Sequence, residues 1–112
     1  MSDVPFIDKN SENPVRVQAL RESARIINGQ RDMQYGGPED NFDRIAKIWS
    51  VIFQRTFTTE DVAMAMVGMK LARFASNAGF QSDTWIDIAG YAACGFEVGL
   101  ELDSKGTIEN DT

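Results

Sequence analysis

The chain has 112 residues, of which 43% are hydrophobic and 25% charged, and 17 acids against 11 bases give it a formal charge of −6. This length and composition are those of one globular domain with a single hydrophobic core. The acidic balance disfavours a duplex nucleic acid partner, because phosphate backbones bind basic surfaces. The chain has no histidine, which excludes Ser-His-Asp triads and histidine general bases. Carboxylates, lysine, arginine, tyrosine or a hard metal ion remain for any catalysis.

The cysteine content and hydropathy of the chain indicate the cellular compartment in which we expect it. The single cysteine, Cys94, excludes an internal disulfide, and no basic-then-apolar leader opens the chain. We therefore expect a reducing cytoplasm. No apolar run approaches the roughly 20 residues that a membrane helix needs, so we expect no membrane partner.

Residues with strong positional preferences mark the first helix. Asn13-Pro14 is typical of an N-cap followed by proline at the first helical position, and Asn28-Gly29 is typical of a left-handed stop. Apolar residues between them recur at steps of three and four. The pattern predicts a helix over about residues 14–28.

The second and third helices begin at equally clear signals. Pro38 opens an amphipathic run over about residues 38–54. Thr58 stands three residues before Asp61, which predicts a reciprocal capping box and a third helix over about 59–77. We expect three methionines of the third helix to be flexible core filler: Met64, Met66 and Met69.

A fourth helix, over about residues 83–102, is apolar around much of its circumference, so we expect it to be central and the most buried. The prediction is an all-α bundle of four main helices. A single helical domain (13–102) would lie between a flexible N-terminal arm (1–12) and a flexible acidic tail (103–112). A thin bundle with this much apolar surface favours a homo-oligomer.

The clearest chemical signal lies on the third and fourth helices. Lys70 and Arg73 are near the end of one, and Asp83, Asp87 and Tyr91 are spaced by four along one face of the next. Counting from the loop pairs Arg73 with Asp87 and puts Lys70 level with Tyr91. One interpretation is a structural ion pair that fixes the register of the hairpin. The other is a pocket in which Lys70 and Arg73 bind phosphate while Asp83 and Asp87 bind magnesium or orient a water.

Two other places could contact a ligand. Arg31 and Tyr35 precede a pair of glycines and could contact a base or another ligand group together with Tyr91, although a plain surface turn explains the same residues. Glu39 and Asp43, four apart, form a weaker candidate metal site. Acids at a helix start also complement the helix dipole, which is the simpler interpretation.

Several blocks of the chain resemble a family of small phage and prophage proteins of unassigned function. The resemblance spans about Leu20 to Glu97. It is carried by Tyr35-Gly36, Asn41-Phe42, Ile45-Ala46, Trp49, Lys70-Leu71-Ala72-Arg73, Asp83, Trp85 and Asp87-Ile88-Ala89-Gly90-Tyr91-Ala92.

More distantly, the chain is similar to the all-α MazG-type nucleoside triphosphate pyrophosphohydrolases, whose helical bundles use acidic residues and magnesium to cleave nucleotides. Those enzymes carry Glu-x-x-Glu and Glu-x-x-Asp pairs. Here Asp83 with Asp87, and Glu39 with Asp43, are the candidates to replace them. The resemblance implies recognition of a nucleotide or phosphorylated ligand, and leaves open whether magnesium-dependent hydrolysis follows. The alternative is a non-catalytic phage accessory protein that binds a host protein or sequesters a nucleotide signal, in the host cytoplasm if the protein is phage-encoded.

Overall fold

The computed structural model describes residues 4–29, 37–76 and 79–110. Its four helices are α1 (Val15–Ile27), α2 (Pro38–Phe53), α3 (Thr59–Ser76) and α4 (Ser82–Asn110). The predicted all-α bundle is confirmed, and the described residues contain no strand. The last helix continues past its predicted end near residue 102. Arg31 and Tyr35 lie outside the described residues, and the division into arm, domain and tail stays a prediction.

Local side-chain bonds set some of the helix ends as predicted. The backbone N–H of Thr58 donates to Asp61 Oδ2 at 2.9 Å, and the N–H of Asp61 donates to Thr58 Oγ1 at 3.1 Å, which confirms the capping box of α3. Gln54 ends α2 in a left-handed conformation, at φ +54°. By contrast, α1 begins after Pro14 without a side-chain cap.

Helix α4 is central, because it contacts each of the other three helices. Glycines allow two of these close approaches. A Cβ added at Gly90 would lie 3.1 Å from Ile27 Cγ2 of α1, and one at Gly95 would lie 3.2 Å from Ala63 Cβ of α3. The hydroxyl of Ser23, which is buried, donates to the carbonyl of Ile86 at 2.9 Å and also ties α1 to α4.

The core lies where α2, α3 and α4 meet. It consists of Phe42, Ala46, Val62, Ala63, Cys94 and Val98. Cys94 is buried among apolar side chains, as expected of a small apolar residue. Of the three methionines, Met66 packs against this cluster, whereas Met64 and Met69 are about 60% exposed, so the prediction of core filler is wrong for those two. Among the described helices, none is both long and apolar enough to span a membrane.

Candidate functional site

An ion pair crosses the α3–α4 hairpin near its loop. Lys70 Nζ lies 2.8 Å from Asp87 Oδ2, and the two side chains are 13% and 29% exposed. The predicted pairing of Arg73 with Asp87 is therefore wrong. Asp87 does have a basic partner on the facing helix, but that partner is Lys70.

Helical phase explains the difference. Ala63 and Phe74 contact α4 at Gly95 and Trp85, and Lys70 lies on the same stripe of α3, seven and four residues away from them. Arg73 is rotated from Lys70 by about 60° around the helix axis. A count of residues from the loop takes no account of this rotation, which turns Arg73 away from the line of contact between α3 and α4.

Arg73, Asp83 and Asp87 line an open cleft of about 740 Å³. Its other walls come from α1, through Glu22, Arg25 and Ile26, and from the segment before α1, through Pro5 and Phe6; Ser82 and Ile86 complete the α4 side. The cleft thus brings three of the predicted site residues together. It adds Arg25 and Glu22, which the sequence did not single out.

The N-terminal segment is bonded to α1, and this bonding sets one wall of the cleft. The backbone N–H of Asp8 donates to Gln18 Oε1 at 2.7 Å, and Gln18 Nε2 donates to the carbonyls of Asp8 and Asn13 at 2.9 and 3.0 Å. Phe6 and Ile7, just before Asp8, are half-buried. This pair of apolar residues in a polar stretch was the signal that could have found the contact.

Some charged residues of the cleft are in ion pairs and others are not. Arg25 Nε and Nη2 donate to the two carboxylate oxygens of Glu22 at 2.8 and 2.9 Å. This hydrogen bonding, helped by the opposite charge, holds the pKa of the Glu22 carboxyl below its usual value. Lys70 neutralises Asp87. Within the part of the chain that the structure describes, neither Arg73 nor Asp83 is in an ion pair.

The backbone around Arg73 is tied to the start of α4. Gln81 Nε2 donates to the carbonyl of Arg73 at 3.1 Å, and Thr84, which is buried, donates from its hydroxyl to Gln81 Oε1 at 3.0 Å. Ser76 Oγ donates to the same Arg73 carbonyl. These bonds tie the last turn of α3, which carries Arg73, to the first turn of α4, which carries Asp83.

The remaining predicted site residues lie elsewhere. Tyr91 packs against the core and lines a groove between α3 and α4. Asp43 Oδ2 is paired with Lys47 Nζ at 2.8 Å, and Glu39 lies beside Glu101, which raises the pKa of the Glu39 carboxyl. Over residues 4–29, 37–76 and 79–110, no three His, Cys, Asp or Glu side chains form a group that could hold a metal ion. The metal roles of Asp83, Asp87, Glu39 and Asp43 therefore stay predictions.

The family model of DUF6378, a domain of unknown function, matches residues 18–99. The chain belongs to this family. It is also 47% identical over 74 residues to the Gene 55 protein of Mycobacterium phage L5 and 40% identical over 75 residues to the Gene 55 protein of Mycobacterium phage D29. These matches cover 65% and 67% of the chain but only 47% and 49% of the phage proteins, so the chain spans about half the length of the curated relatives it matches. No solved structure matches the chain significantly.

The DUF6378 region holds most of the cleft. It contains Glu22, Arg25, Arg73, Asp83 and Asp87, together with the whole hairpin seam. Pro5 and Phe6 precede it. The charged walls of the cleft therefore lie within the matched region, and the apolar wall formed by Pro5 and Phe6 lies before it.

Proposed function

We propose that this DUF6378 protein recognises a phosphorylated small molecule, with nucleotides as the first candidates, in the cleft between α1, α3 and α4. The observation that carries the proposal is the absence of an ion-pair partner for Arg73 among the described residues. Glu22 and Asp87 are neutralised by Arg25 and Lys70, which leaves the Arg73 guanidinium with no ion pair among the described residues. A guanidinium binds phosphate through two parallel hydrogen bonds.

Asp83 favours a nucleotide over inorganic phosphate. Its exposed carboxylate lines the same cleft, where it could accept hydrogen bonds from sugar hydroxyls or base amino groups. Phe6, which is half-buried, supplies apolar surface against which a base could pack. An arginine, a carboxylate and an apolar wall in one cleft match the three chemical parts of a nucleotide.

Magnesium-dependent pyrophosphate hydrolysis is the catalytic form of this proposal. Proteins bind magnesium through one or two carboxylates together with substrate phosphates, so Asp83 and Asp87 would be the protein ligands. The metal would neutralise charge on the phosphates. Lys70 already occupies Asp87 Oδ2, however, which leaves Asp83 as the more available carboxylate. The cleft therefore supports recognition without hydrolysis better than catalysis.

The experiment is a thermal-shift screen against nucleoside mono-, di- and triphosphates and cyclic dinucleotides, with and without magnesium. A ligand that binds only the folded state raises the melting temperature. We expect a shift in the wild type that is lost in Arg73→Gln and kept in Arg16→Gln, a matched change at an exposed arginine of α1 outside the cleft. A shift that requires magnesium and is lost in Asp83→Asn would support hydrolysis and justify a phosphate-release assay.

Two results would contradict the proposal. The first is the absence of a shift with every nucleotide. The second is an equal shift in the wild type and Arg73→Gln, which would mean that the nucleotide binds elsewhere. A magnesium-independent shift that Arg73→Gln removes would support sequestration of a nucleotide.

A second candidate function, binding of a basic host protein, is favoured by the surface of α2. Ile48, Val51 and Ile52 are 56–78% exposed on this helix, in a chain of charge −6. Exposed apolar side chains in an acidic setting suit a basic partner with an apolar contact. Both candidates assume the cytoplasm of the host cell. Val51→Glu should weaken binding to such a partner and leave any nucleotide shift unchanged.

A further inference from the structure

One side of the α3–α4 hairpin is uncovered and apolar. Helix α2 packs on the other side, through Phe42 and Ala46 against Val62 and Val98. We call the uncovered side the outer face. It consists of Met64, Val67, Gly68, Leu71 and Ala75 on α3, and of Trp85, Ala89, Ala92, Phe96 and Leu100 on α4. None of these ten residues is charged, and Phe96 is 74% exposed.

The two halves of the outer face form one continuous surface. On each helix the residues recur at steps of three and four, which is the spacing of a helix-packing seam. A groove of about 380 Å³ runs between the helices, lined by apolar residues that include Met64, Val67 and Phe96 and by the charged residue Glu60. The spacing therefore indicates a helix-packing surface that no other described part of the chain covers.

Beyond its acidic first turn, helix α3 is apolar around most of its circumference. Between Val62 and Ser76 the only charged residues are Lys70, which is paired across the hairpin, and Arg73, which lines the cleft. A helix that is hydrophobic all round is typically buried on all sides. Within one copy, however, Met64 and Leu71 are 59% and 49% exposed.

The chain exposes more surface than a compact monomer of its mass. The protein exposes 8307 Å², whereas a folded monomer of 12.5 kDa exposes about 6,200 Å². Its radius of gyration is 16.7 Å, against roughly 13 Å for a compact domain of this length. A stable interface needs about 800 Å² per partner. Five large apolar side chains of the outer face are 49–74% exposed and are the surface available to meet that need: Met64, Leu71, Trp85, Phe96 and Leu100.

We propose that a second copy of this chain docks on the outer face, so that the two α3–α4 hairpins form a four-helix bundle around a two-fold axis. A two-fold interface places the same patch on both copies, so a charge close to the axis faces the same charge on the other copy. A chain of charge −6 repels its own copy, and the ten residues of the outer face are uncharged, with Glu60 beside them in the groove. That property favours a second copy over an oppositely charged partner.

The test is the mass of the full chain by sedimentation equilibrium from about 1 to 100 μM, a range that spans typical dimer affinities. We expect twice 12.5 kDa for the wild type. Leu71→Glu and Phe96→Glu should sediment as folded monomers, because both side chains are largely exposed in one copy and their change leaves the core intact. Val51→Glu is the matched control on α2, where the side chain is 78% exposed, and it should stay dimeric.

A wild type that is monomeric at every concentration overturns the proposal. So does dissociation in Val51→Glu with retention of the dimer in the two outer-face variants, which would move the interface to α2. Circular dichroism checks that each variant is folded. The melting temperature of the wild type provides a test that needs no variant, because a dimer melts at a higher temperature as protein concentration rises and a monomer does not.

Discussion

Val98 and Phe96 lie two residues apart on α4 and have opposite environments. Val98 is 1% exposed and belongs to the core with Phe42 and Val62, whereas the larger Phe96 is 74% exposed on the outer face. Their burial does not follow their size. It follows which side of the α3–α4 hairpin α2 covers.

This contrast separates two sources of stability. The inner side is held together within one chain, so its contribution to the free energy of unfolding is independent of protein concentration. The outer face contributes only when something covers it. Substitutions on the two sides should therefore differ both in size and in concentration dependence.

The largest expected effect is on the inner side. Val98→Ala removes two buried methyl groups and leaves a cavity, so it should lower the free energy of unfolding by about 2–3 kcal/mol. Urea denaturation measures this loss, which should be the same at low and high protein concentration. Phe96→Ala is the comparison. It should cost little in dilute solution and more at high concentration, and a concentration-independent loss as large as that of Val98→Ala would break the contrast.

The hairpin ion pair is the next test, because it lies between the inner core and the cleft. Lys70→Ala leaves the Asp87 carboxylate half-buried and without its partner. A fully buried orphan charge costs several kcal/mol, and partial exposure reduces this to about 1–2 kcal/mol. Arg73→Ala, three residues away, should leave stability nearly unchanged. If Lys70→Ala is neutral in urea denaturation, the pair does not stabilise the hairpin.

A rescue variant separates packing from ligand binding. Replacing Lys70 by Met and Asp87 by Leu together removes both charges, and should recover most of the stability lost in Lys70→Ala. Recovery would assign the pair to folding. Failure to recover would indicate that the surroundings of the pair need its hydrogen bonds.

The sequence predicted what depends on neighbours along the chain. The four helices and the Thr58–Asp61 capping box follow from spacing within a few residues. The partner of Asp87 was missed because it depends on helical phase across two elements, which a count from the loop does not contain. The exposure of Met64 and Met69 was missed because an apolar stripe has the same pattern whether its own chain covers it or not.

Two glycines of the α3–α4 hairpin test the same contrast through the addition of a single Cβ atom. A Cβ at Gly68, on the outer face, meets nothing within 4 Å, so Gly68→Ala should raise the free energy of unfolding by about 0.5–1 kcal/mol through helix propensity alone. A Cβ at Gly95 would lie 3.2 Å from Ala63 Cβ, so the same gain there should be cancelled or reversed. Both are measured by urea denaturation at low concentration. Equal gains at the two positions would mean that the seam between α3 and α4 is loosely packed.

The smallest expected effect is at the exposed rim, where Glu39 of α2 meets Glu101 of α4. Their hydrogen bond raises the pKa of the Glu39 carboxyl, helped by partial desolvation and the nearby negative charges, and it lowers the pKa of Glu101. For Glu39 the folded state holds its proton more tightly than the unfolded state. Its stabilising contribution is therefore complete below the usual carboxyl pKa and is lost as the pH rises through the raised value.

Glu39→Gln should remove that loss, because an amide can donate to Glu101 without needing a proton. We expect the melting temperature of the variant to exceed that of the wild type at neutral pH, and the difference to shrink as the pH falls towards 4.5. Asp40→Asn, in the same first turn of α2, is the matched control, because it also removes a charge that complements the helix dipole but has no part in this hydrogen bond. Two outcomes would assign the effect to the helix dipole: a difference in melting temperature that does not vary with pH, and the same difference in Asp40→Asn. Either outcome would mean that the contact between α2 and α4 has no role in the pH dependence of stability.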